Sequence, residues 1–155
     1  MPTRGRTSTS LDLKLLEGLP DRGAAHTDAF SSISLDPPMV LVCVQNSSST
    51  HPALSRASHL GISILAADQL DVARTFASKA EDKFAGPAWT PGPHGAPLIG
   101  GSCAQLEVEI GERLQAGSHT VFTGRVVSAR HDDLAPLVYS GGGFFDISQT
   151  APLPW

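Results

Sequence analysis

Five consecutive polar residues, Asn46-Ser47-Ser48-Ser49-Thr50, are the part of the sequence best suited to bind an anion. They lie between a predicted buried strand and a predicted helix, so hydroxyls, backbone N–H groups and the helix dipole together would suit a phosphate. The loop contains no lysine, and Arg56 is the nearest cation in sequence. A polar loop in which Thr50 merely caps the helix explains the same residues, and the spacing alone favours that reading.

A second hydroxyl-rich stretch, Ser31-Ser32-Ile33-Ser34, precedes Pro37-Pro38 and then the apolar run Met39–Val44. The run predicts a short strand buried on both faces. The serines would then form a turn at the mouth of a packed sheet. There they could meet a polar ligand or satisfy their own backbone, and both readings stay open.

Two further side chains could meet a ligand. His119 stands at the entry to a predicted strand, where it could reach the mouth of the sheet or be an ordinary hydrogen-bonded turn residue. Lys83 could face an anion across a helix end, although a solvated lysine beside Asp82 is the default. No second histidine or carboxylate stands at metal-ligand spacing, so no metal site is predicted.

The elements that must position these residues are short strands and two helices. Predicted strands lie at Met39–Val44, Gly61–Ala66, Leu106–Ile110, Thr120–Ala129 and Pro136–Tyr139. The first predicted helix is short and begins at Thr50 or His51, with Pro52 in its first turn. The second predicted helix runs from Gln69 to Ala80, with Asp68 as its N-cap. A Gly- and Pro-rich loop covers residues 86–101, and the leucine patch from Leu11 to Leu19 predicts a brief helical turn.

This pattern lacks a repeated βαβ rhythm, so it favours a mainly β fold with helices, a small antiparallel barrel with helices over its openings. Residues 26–150 would form the domain and residues 1–25 a loosely attached tail or arm.

Composition narrows the partners. The chain has 155 residues, 41% hydrophobic residues, 17% charged residues and a net charge of −4. Without a basic patch or a long apolar run, we expect no nucleic-acid or membrane partner and, without a signal peptide, a cytoplasmic location. Cys43 lies within the apolar run and is predicted to be a small buried hydrophobe.

Several blocks, in order, resemble the short-chain flavin reductases. They are Ala29–Pro38, Val40–Val44, Ser49–Leu54, Ile64–Gln69, Phe76–Phe84, Ala96–Leu98, Gly117–Thr120 and Gly124–Val126. Any single block is weak, but the ordered set is specific and covers about residues 26 to 140.

The resemblance implies a homodimeric FMN-binding split barrel that reduces FMN or FAD with NADH or NADPH, for a partner flavin-dependent monooxygenase. By similarity, His119 would be the catalytic residue beside flavin and nicotinamide. The positions that correspond to cofactor contacts are Ser31, Ser32, Asn46, Ser47, Ser48, Thr50, Lys83 and Phe84.

The sequence departs from the family pattern near its N-terminus. Relatives carry a Val- and Thr-rich strand that is replaced here by the polar residues 1–25. A Gly-Met-Thr-Ala-Asn-like stretch follows in relatives where this chain reads Gly23–Asp28, and Asp28 replaces the usual Asn. Ser63 also replaces a customary Asn. We therefore expect a barrel short of one or two N-terminal strands, and a non-catalytic FMN-binding or scaffold protein is the alternative function.

Overall fold

The structure is a computed structural model that describes residues 13–16, 24–27, 29–78, 80, 82–140 and 143–154. Its main element is one antiparallel sheet of seven strands. In sheet order these are β2 (Ala24–Thr27), β1 (Leu13–Leu16), β5 (His59–Ile64), β8 (Ala104–Ala116), β9 (His119–His131), β4 (Pro38–Gln45) and β3 (Ala29–Leu35).

The two outermost strands of this sheet are neighbours in the chain. β2 ends at Thr27 and β3 begins at Ala29. Because a single residue joins them, the sheet must curl until its two edges approach each other, as in a barrel. The predicted antiparallel, mainly β class with two helices is therefore confirmed.

The described part of the leucine patch, Leu13–Leu16, forms a strand (β1) where the sequence predicts a helical turn. Leu13 to Leu16 pair with Ile64 to Gly61 of β5 and, on the other side, with Thr27 to Ala24 of β2. Three leucines around Lys14 are too few to distinguish a helix from a strand by periodicity, and the open backbone edge of β5 decides the outcome. The expectation of missing N-terminal strands is thus wrong for this part, since β1 and β2 take those places. Asp28 lies outside the described residues.

The serine-rich stretch is also a strand rather than a turn. β3 pairs with β4 along its length, with Ser31 opposite Leu41, and a bulge lies between Ser32 and Ser34. The reversal of the chain comes later, at Asp36-Pro37. The open edge of β4 supplies hydrogen-bond partners that a sequence pattern does not show.

Both helices are found. α1 (His51–Arg56) begins as predicted, but the Thr50 side chain makes no capping bond. α2 (Leu70–Ala77) is shorter than predicted, and its N-cap is Gln69 rather than Asp68. No helix within the described ranges has the length and apolar character needed to cross a membrane.

The predicted strands are confirmed, although β8 continues six residues beyond the predicted end at Ile110, and two small hairpins accompany the sheet. β6 (Trp89–Pro91) and β7 (Pro97–Ile99) form a hairpin inside the stretch predicted as a long loop. β10 (Leu137–Ser140) and β11 (Gly143–Asp146) form the other.

Two apolar clusters hold these elements together. The first fills the sheet interior and contains the buried residues Val40, Val42, Val44, Leu54, Leu60, Ile62, Val108 and Phe122. The second joins α2 to the hairpins through Leu65, Ala73, Phe76, Ile99 and Leu137. Only alternate residues of β4 are fully buried, so the prediction of burial on both faces is wrong, and Cys43 is half-buried.

Candidate functional site

The Asn46–Thr50 loop connects β4 to α1 and is folded by its own backbone. The Ser48 N–H donates to Gln45 O at 2.9 Å, and the His51 N–H donates to Ser48 O at 3.1 Å. Ser47 is exposed and Ser48 is half-buried. Ser48 Oγ in turn accepts the Thr50 N–H at 3.2 Å. The loop therefore presents hydroxyls to solvent from a tightly turned backbone.

Asn46 ties this loop to the turn between β8 and β9. Its N–H donates to Ser118 O at 2.9 Å, and its Nδ2 donates to Gly117 O at 3.1 Å. Its Oδ1 accepts the Thr120 hydroxyl at 2.8 Å. The backbone N–H and both side-chain polar atoms of Asn46 are therefore occupied within the chain.

His119 lies at the same end of the sheet as this loop. It pairs with Gln45 of β4 and with Ala116 of β8, and it is exposed. Gly117, at φ 59°, allows the tight turn that precedes it. His119 Nδ1 lies 2.9 Å from Ser118 Oγ. Within the described part of the chain, Nε2 has no hydrogen-bond partner, so it is the nitrogen that remains for a ligand.

Thr50 differs from the other hydroxyl residues of the loop. It is completely buried. Its Oγ1 is the one buried side-chain nitrogen or oxygen, among the described residues, without a hydrogen-bond partner. A buried hydroxyl without a partner costs about 1–3 kcal/mol, so this position is energetically unfavourable in the free protein.

His51 is hydrogen-bonded to Thr120, which in turn donates to Asn46, although the sequence suggests only that His51 begins a helix. Its Nε2 lies 2.8 Å from Thr120 Oγ1, and its ring meets Phe122 edge to face at 6.0 Å. Thr120 is buried. No spacing rule links residues 69 positions apart in sequence, so only the pairing of β4 with β9 could reveal this contact.

Ser31 and Ser32 are exposed and lie farther along the sheet. Ser31 is opposite Leu41, five positions before Asn46 on β4. At about 3.3 Å per residue, this separates Ser31 from the loop by about 16 Å. Ser31 Oγ donates to Ser32 O at 3.1 Å. The two serine groups could touch one ligand only if it is elongated.

Lys83 and Phe84 lie beyond the C-terminal end of α2, against the second apolar cluster. Lys83 Nζ donates to Phe76 O at 2.9 Å, and burial lowers the pKa of the ammonium group. The Phe84 ring meets Phe76 and Trp89 edge to face, each at 5.5 Å. This pair is therefore fixed by α2 and β6 rather than by the loop that carries the hydroxyls.

A buried carboxylate, which no sequence motif marks, anchors the β6–β7 hairpin. Glu107 is fully buried. Its Oε1 accepts the N–H groups of His94 at 3.0 Å and Ala96 at 3.1 Å. The alternation of Glu107 with apolar neighbours on β8 predicts an outward-facing side chain. Glu107 does lie on the face of β8 opposite Val108, and it is buried because the tip of the β6–β7 hairpin covers that face.

Away from the hydrogen bonds that join His51, Thr120 and Asn46, several ionisable side chains lie near the start of β5. The His59 and His94 rings stack with centroids 4.9 Å apart, and Arg125 Nη2 lies 2.9 Å from Glu109 Oε2. The hydrogen bond and charge of Arg125 lower the pKa of Glu109. Among the described residues, no three His, Cys, Asp or Glu side chains are arranged to hold a metal ion.

Comparison with known proteins gives one consistent family. A model of the flavin reductase like domain matches residues 18–148. The FMN reductase (NADH) SmoA of Agrobacterium fabrum is 41% identical over 117 residues, which cover 76% of this chain and 67% of that protein. The reductase subunit HsaB of a flavin-dependent monooxygenase from Rhodococcus jostii is 32% identical over 152 residues, which cover 96% of this chain and 77% of HsaB.

Solved structures agree. The NADH:FAD oxidoreductase SgcE6 of Streptomyces globisporus, in complex with NAD and FAD fragments, superposes with a TM-score of 0.86 at 32% identity. The match covers 92% of this chain and 88% of that one. Some relatives are much longer, since the chain spans only 38% and 54% of the length of two curated proteins from Rhizobium meliloti.

Proposed function

Because the chain belongs to the flavin reductase like domain family, we propose that it is an NAD(P)H-dependent flavin reductase that supplies reduced FMN or FAD to a partner monooxygenase. Relatives named for FMN reduction with NADH and for a monooxygenase reductase subunit support this activity. The structural neighbour named as an NADH:FAD oxidoreductase supports the same cofactor pair.

The main observation behind the proposal is that the hydroxyl-rich loop and His119 lie together at one end of the sheet. The exposed hydroxyls of the Asn46–Thr50 loop lie beside the turn that holds His119, and Asn46 bonds to that turn. The order of residues in the chain separates these groups by about 70 positions, so the pairing of β4 with β9 is what brings a phosphate-suited loop and an exposed imidazole together.

The residues present fit a flavin nucleotide. The buried hydroxyl of Thr50, which has no partner among the described residues, belongs to the same loop as the exposed Ser47, and it could donate its proton to a phosphate oxygen if the loop opened. Ser31 and Ser32 lie about 16 Å and about 20 Å from the loop along β4, as an elongated ligand with a phosphate at one end would require. The proposal places Lys83 and Phe84 beside the cofactor through α2 and β6.

A bound flavin would supply the redox centre that accepts a hydride from the reduced nicotinamide. The chain itself would bind the phosphate through Ser47 and Ser48 and orient the nucleotide along β3. His119 would meet the nicotinamide side of the site through Nε2, with Nδ1 held by Ser118 Oγ. These are binding and orienting roles, and they need no charged group in the loop.

The proposal includes a homodimer in the cytoplasm. The outward face of β4 is only half covered, and Ile33 and Leu35 on the neighbouring edge strand are 45% and 90% exposed. A second copy would remove these apolar side chains from water. Light scattering on a sizing column should therefore give about twice the mass of 16.2 kDa. A monomer at micromolar concentration would contradict this part.

The central experiment is a titration of the purified protein with FMN and with FAD, followed by NADH and NADPH. We expect a saturable change in the visible flavin spectrum and bleaching that depends on the protein and the nicotinamide. Binding without turnover above free flavin would favour the non-catalytic alternative. The absence of both binding and turnover would reject the proposed function.

His119 can be tested within the same assay. His119→Ala should lower turnover about tenfold or more, as expected for a positioned catalytic group, while flavin affinity changes little. His131→Ala is the matched control, since His131 is exposed at the other end of the same strand. Equal effects of the two substitutions, or a loss of flavin binding in His119→Ala, would remove the catalytic assignment.

A further inference from the structure

We propose that Asn46 and Thr120 are positioning residues that tie the phosphate-suited loop to the turn carrying His119, rather than groups that touch the cofactor. The inference rests on the proposed function and adds to it a physical link between two parts of the site. It reassigns Asn46, which the family resemblance places among the cofactor contacts.

The direction of each hydrogen bond follows from the chemistry of the atoms. Gly117 O can only accept, so the Asn46 NH₂ group must face it, and Oδ1 must then face Thr120. Oδ1 can only accept as well. The single hydroxyl proton of Thr120 is therefore donated to Asn46.

This assignment determines what His51 does. Thr120 Oγ1 donates its proton to Asn46 Oδ1, which lies at 2.8 Å. The alternative acceptor, Gln115 Oε1, lies farther away at 3.4 Å. Because His51 Nε2 lies 2.8 Å from the same oxygen, Nε2 must carry the proton that Thr120 Oγ1 accepts. The network runs from α1 through β9 to the start of the loop in one direction.

The network ends on the turn beside His119. Asn46 reaches both Gly117 and Ser118, the two residues immediately before His119, through one side-chain and one backbone bond. Gln115 Nε2 donates to the same Gly117 carbonyl at 3.0 Å. Because Thr120 is 6% exposed, water does not readily replace its bond to Asn46.

The test uses substitutions that preserve shape. Thr120→Val removes the hydroxyl, and Asn46→Asp keeps an acceptor for Thr120 but loses the donor to Gly117. Thr120→Ser should restore the bond. Thr123→Val is the matched control, because Thr123 lies on the same strand with its side chain on the opposite face.

Two readouts do not require flavin. In the protein without cofactor, nitrogen-15 NMR should show that neutral His51 carries its proton on Nε2. In Thr120→Val the fraction of His51 in this tautomer should be smaller, because the acceptor oxygen is gone. Amide exchange at Asn46, whose N–H donates to Ser118, should be about fivefold faster in Thr120→Val and Asn46→Asp, the factor for losing about 1 kcal/mol. Thr123→Val should match the wild type.

With flavin and NADH, kcat should fall about tenfold in Thr120→Val and recover in Thr120→Ser, while the flavin Kd changes less than about threefold. Wild-type exchange and kcat in both variants would overturn the proposal. A rise in flavin Kd as large as the fall in kcat would also overturn it and return Asn46 to the cofactor contacts. If the wild type oxidised no NADH, the proposed function would fail, and the exchange and NMR results would still decide whether the link exists.

Discussion

Thr50 is a buried side chain whose hydroxyl makes no hydrogen bond to the described residues, which is unfavourable in the free protein. A threonine at the start of a helix normally accepts an N–H bond from the first turn. Here the side chain makes no such bond, and its hydroxyl is buried without a partner among the described residues. The capping bond that the sequence favoured is therefore absent for this side chain, and the proposed function gives its hydroxyl a phosphate oxygen as a partner.

Replacing Thr50 with valine should separate folding from binding. Thr50→Val keeps the shape and removes the unsatisfied hydroxyl, so the free energy of unfolding should rise by about 1 kcal/mol. Flavin affinity should fall about fivefold, because the phosphate loses one donor. Chemical denaturation without flavin and a flavin titration measure the two effects.

The control is Thr75→Val, since the Thr75 hydroxyl donates to Asp71 O at 2.9 Å. That variant should lose a little stability and keep wild-type flavin affinity. A clear loss of stability in Thr50→Val would instead mean that its hydroxyl has a partner in solution.

At the scale of elements, the β6–β7 hairpin shows how a sheet positions a loop. The hairpin tip folds over Glu107, whose carboxylate accepts the N–H groups of His94 and Ala96. A carboxylate can be fully buried in this way because backbone donors replace water. The hairpin also carries Trp89, which contacts Phe84, so Glu107 indirectly holds a residue that the proposal places beside the cofactor.

Gly92 should be required for this packing. A Cβ added at Gly92 would lie 2.6 Å from both carboxylate oxygens of Glu107. Gly92→Ala should therefore lower the free energy of unfolding by about 1–3 kcal/mol, the usual cost of overpacking. Gly86→Ala is the matched control, since an added Cβ at Gly86 meets nothing within 4 Å. Urea denaturation of both variants measures the difference, and equal stability would show that the hairpin tip moves freely away from Glu107.

Across the whole molecule, β8 and β9 form the longest pairing, and it includes an ion pair. Arg125 on β9 donates to Glu109 on β8, which lowers the pKa of Glu109 below its usual value of 4.5. A carboxyl with a lowered pKa in the folded state stabilises folding above its unfolded pKa. That stabilisation is lost as pH falls from about 4.5 through the lower, folded pKa.

Glu109→Gln should therefore make the stability of the protein less sensitive to acid. The difference between the unfolding midpoints at pH 7 and pH 3 should be smaller than in the wild type, although only slightly, because both side chains are at least half exposed. Thermal unfolding at several pH values measures this. Glu112→Gln, also on β8, serves as a control for the loss of one negative charge. An identical acid response in wild type and Glu109→Gln would mean that the pair contributes nothing in solution.

The family and the antiparallel class could be predicted from the sequence because short segments of the chain and their order carry that information. Apolar runs such as Met39–Val44 form strands wherever a sheet accepts them, and Pro52 suits the first turn of a helix. The same local rules failed for Ser31 to Ser34 and for Leu13 to Leu16. In both cases the open edge of a neighbouring strand, absent from any local window, made the backbone extend.

The sequence by itself determined which side chains were available: a loop of hydroxyls from Asn46 to Thr50 and a histidine at position 119. Only the tertiary structure decided which of them meet. The register of β4 against β9 places Gln45 beside His119 and thereby brings Asn46 to Gly117 and Thr120. A register is set by hydrogen bonds between segments distant in the chain, and a shift of one residue would turn each side chain to the other face.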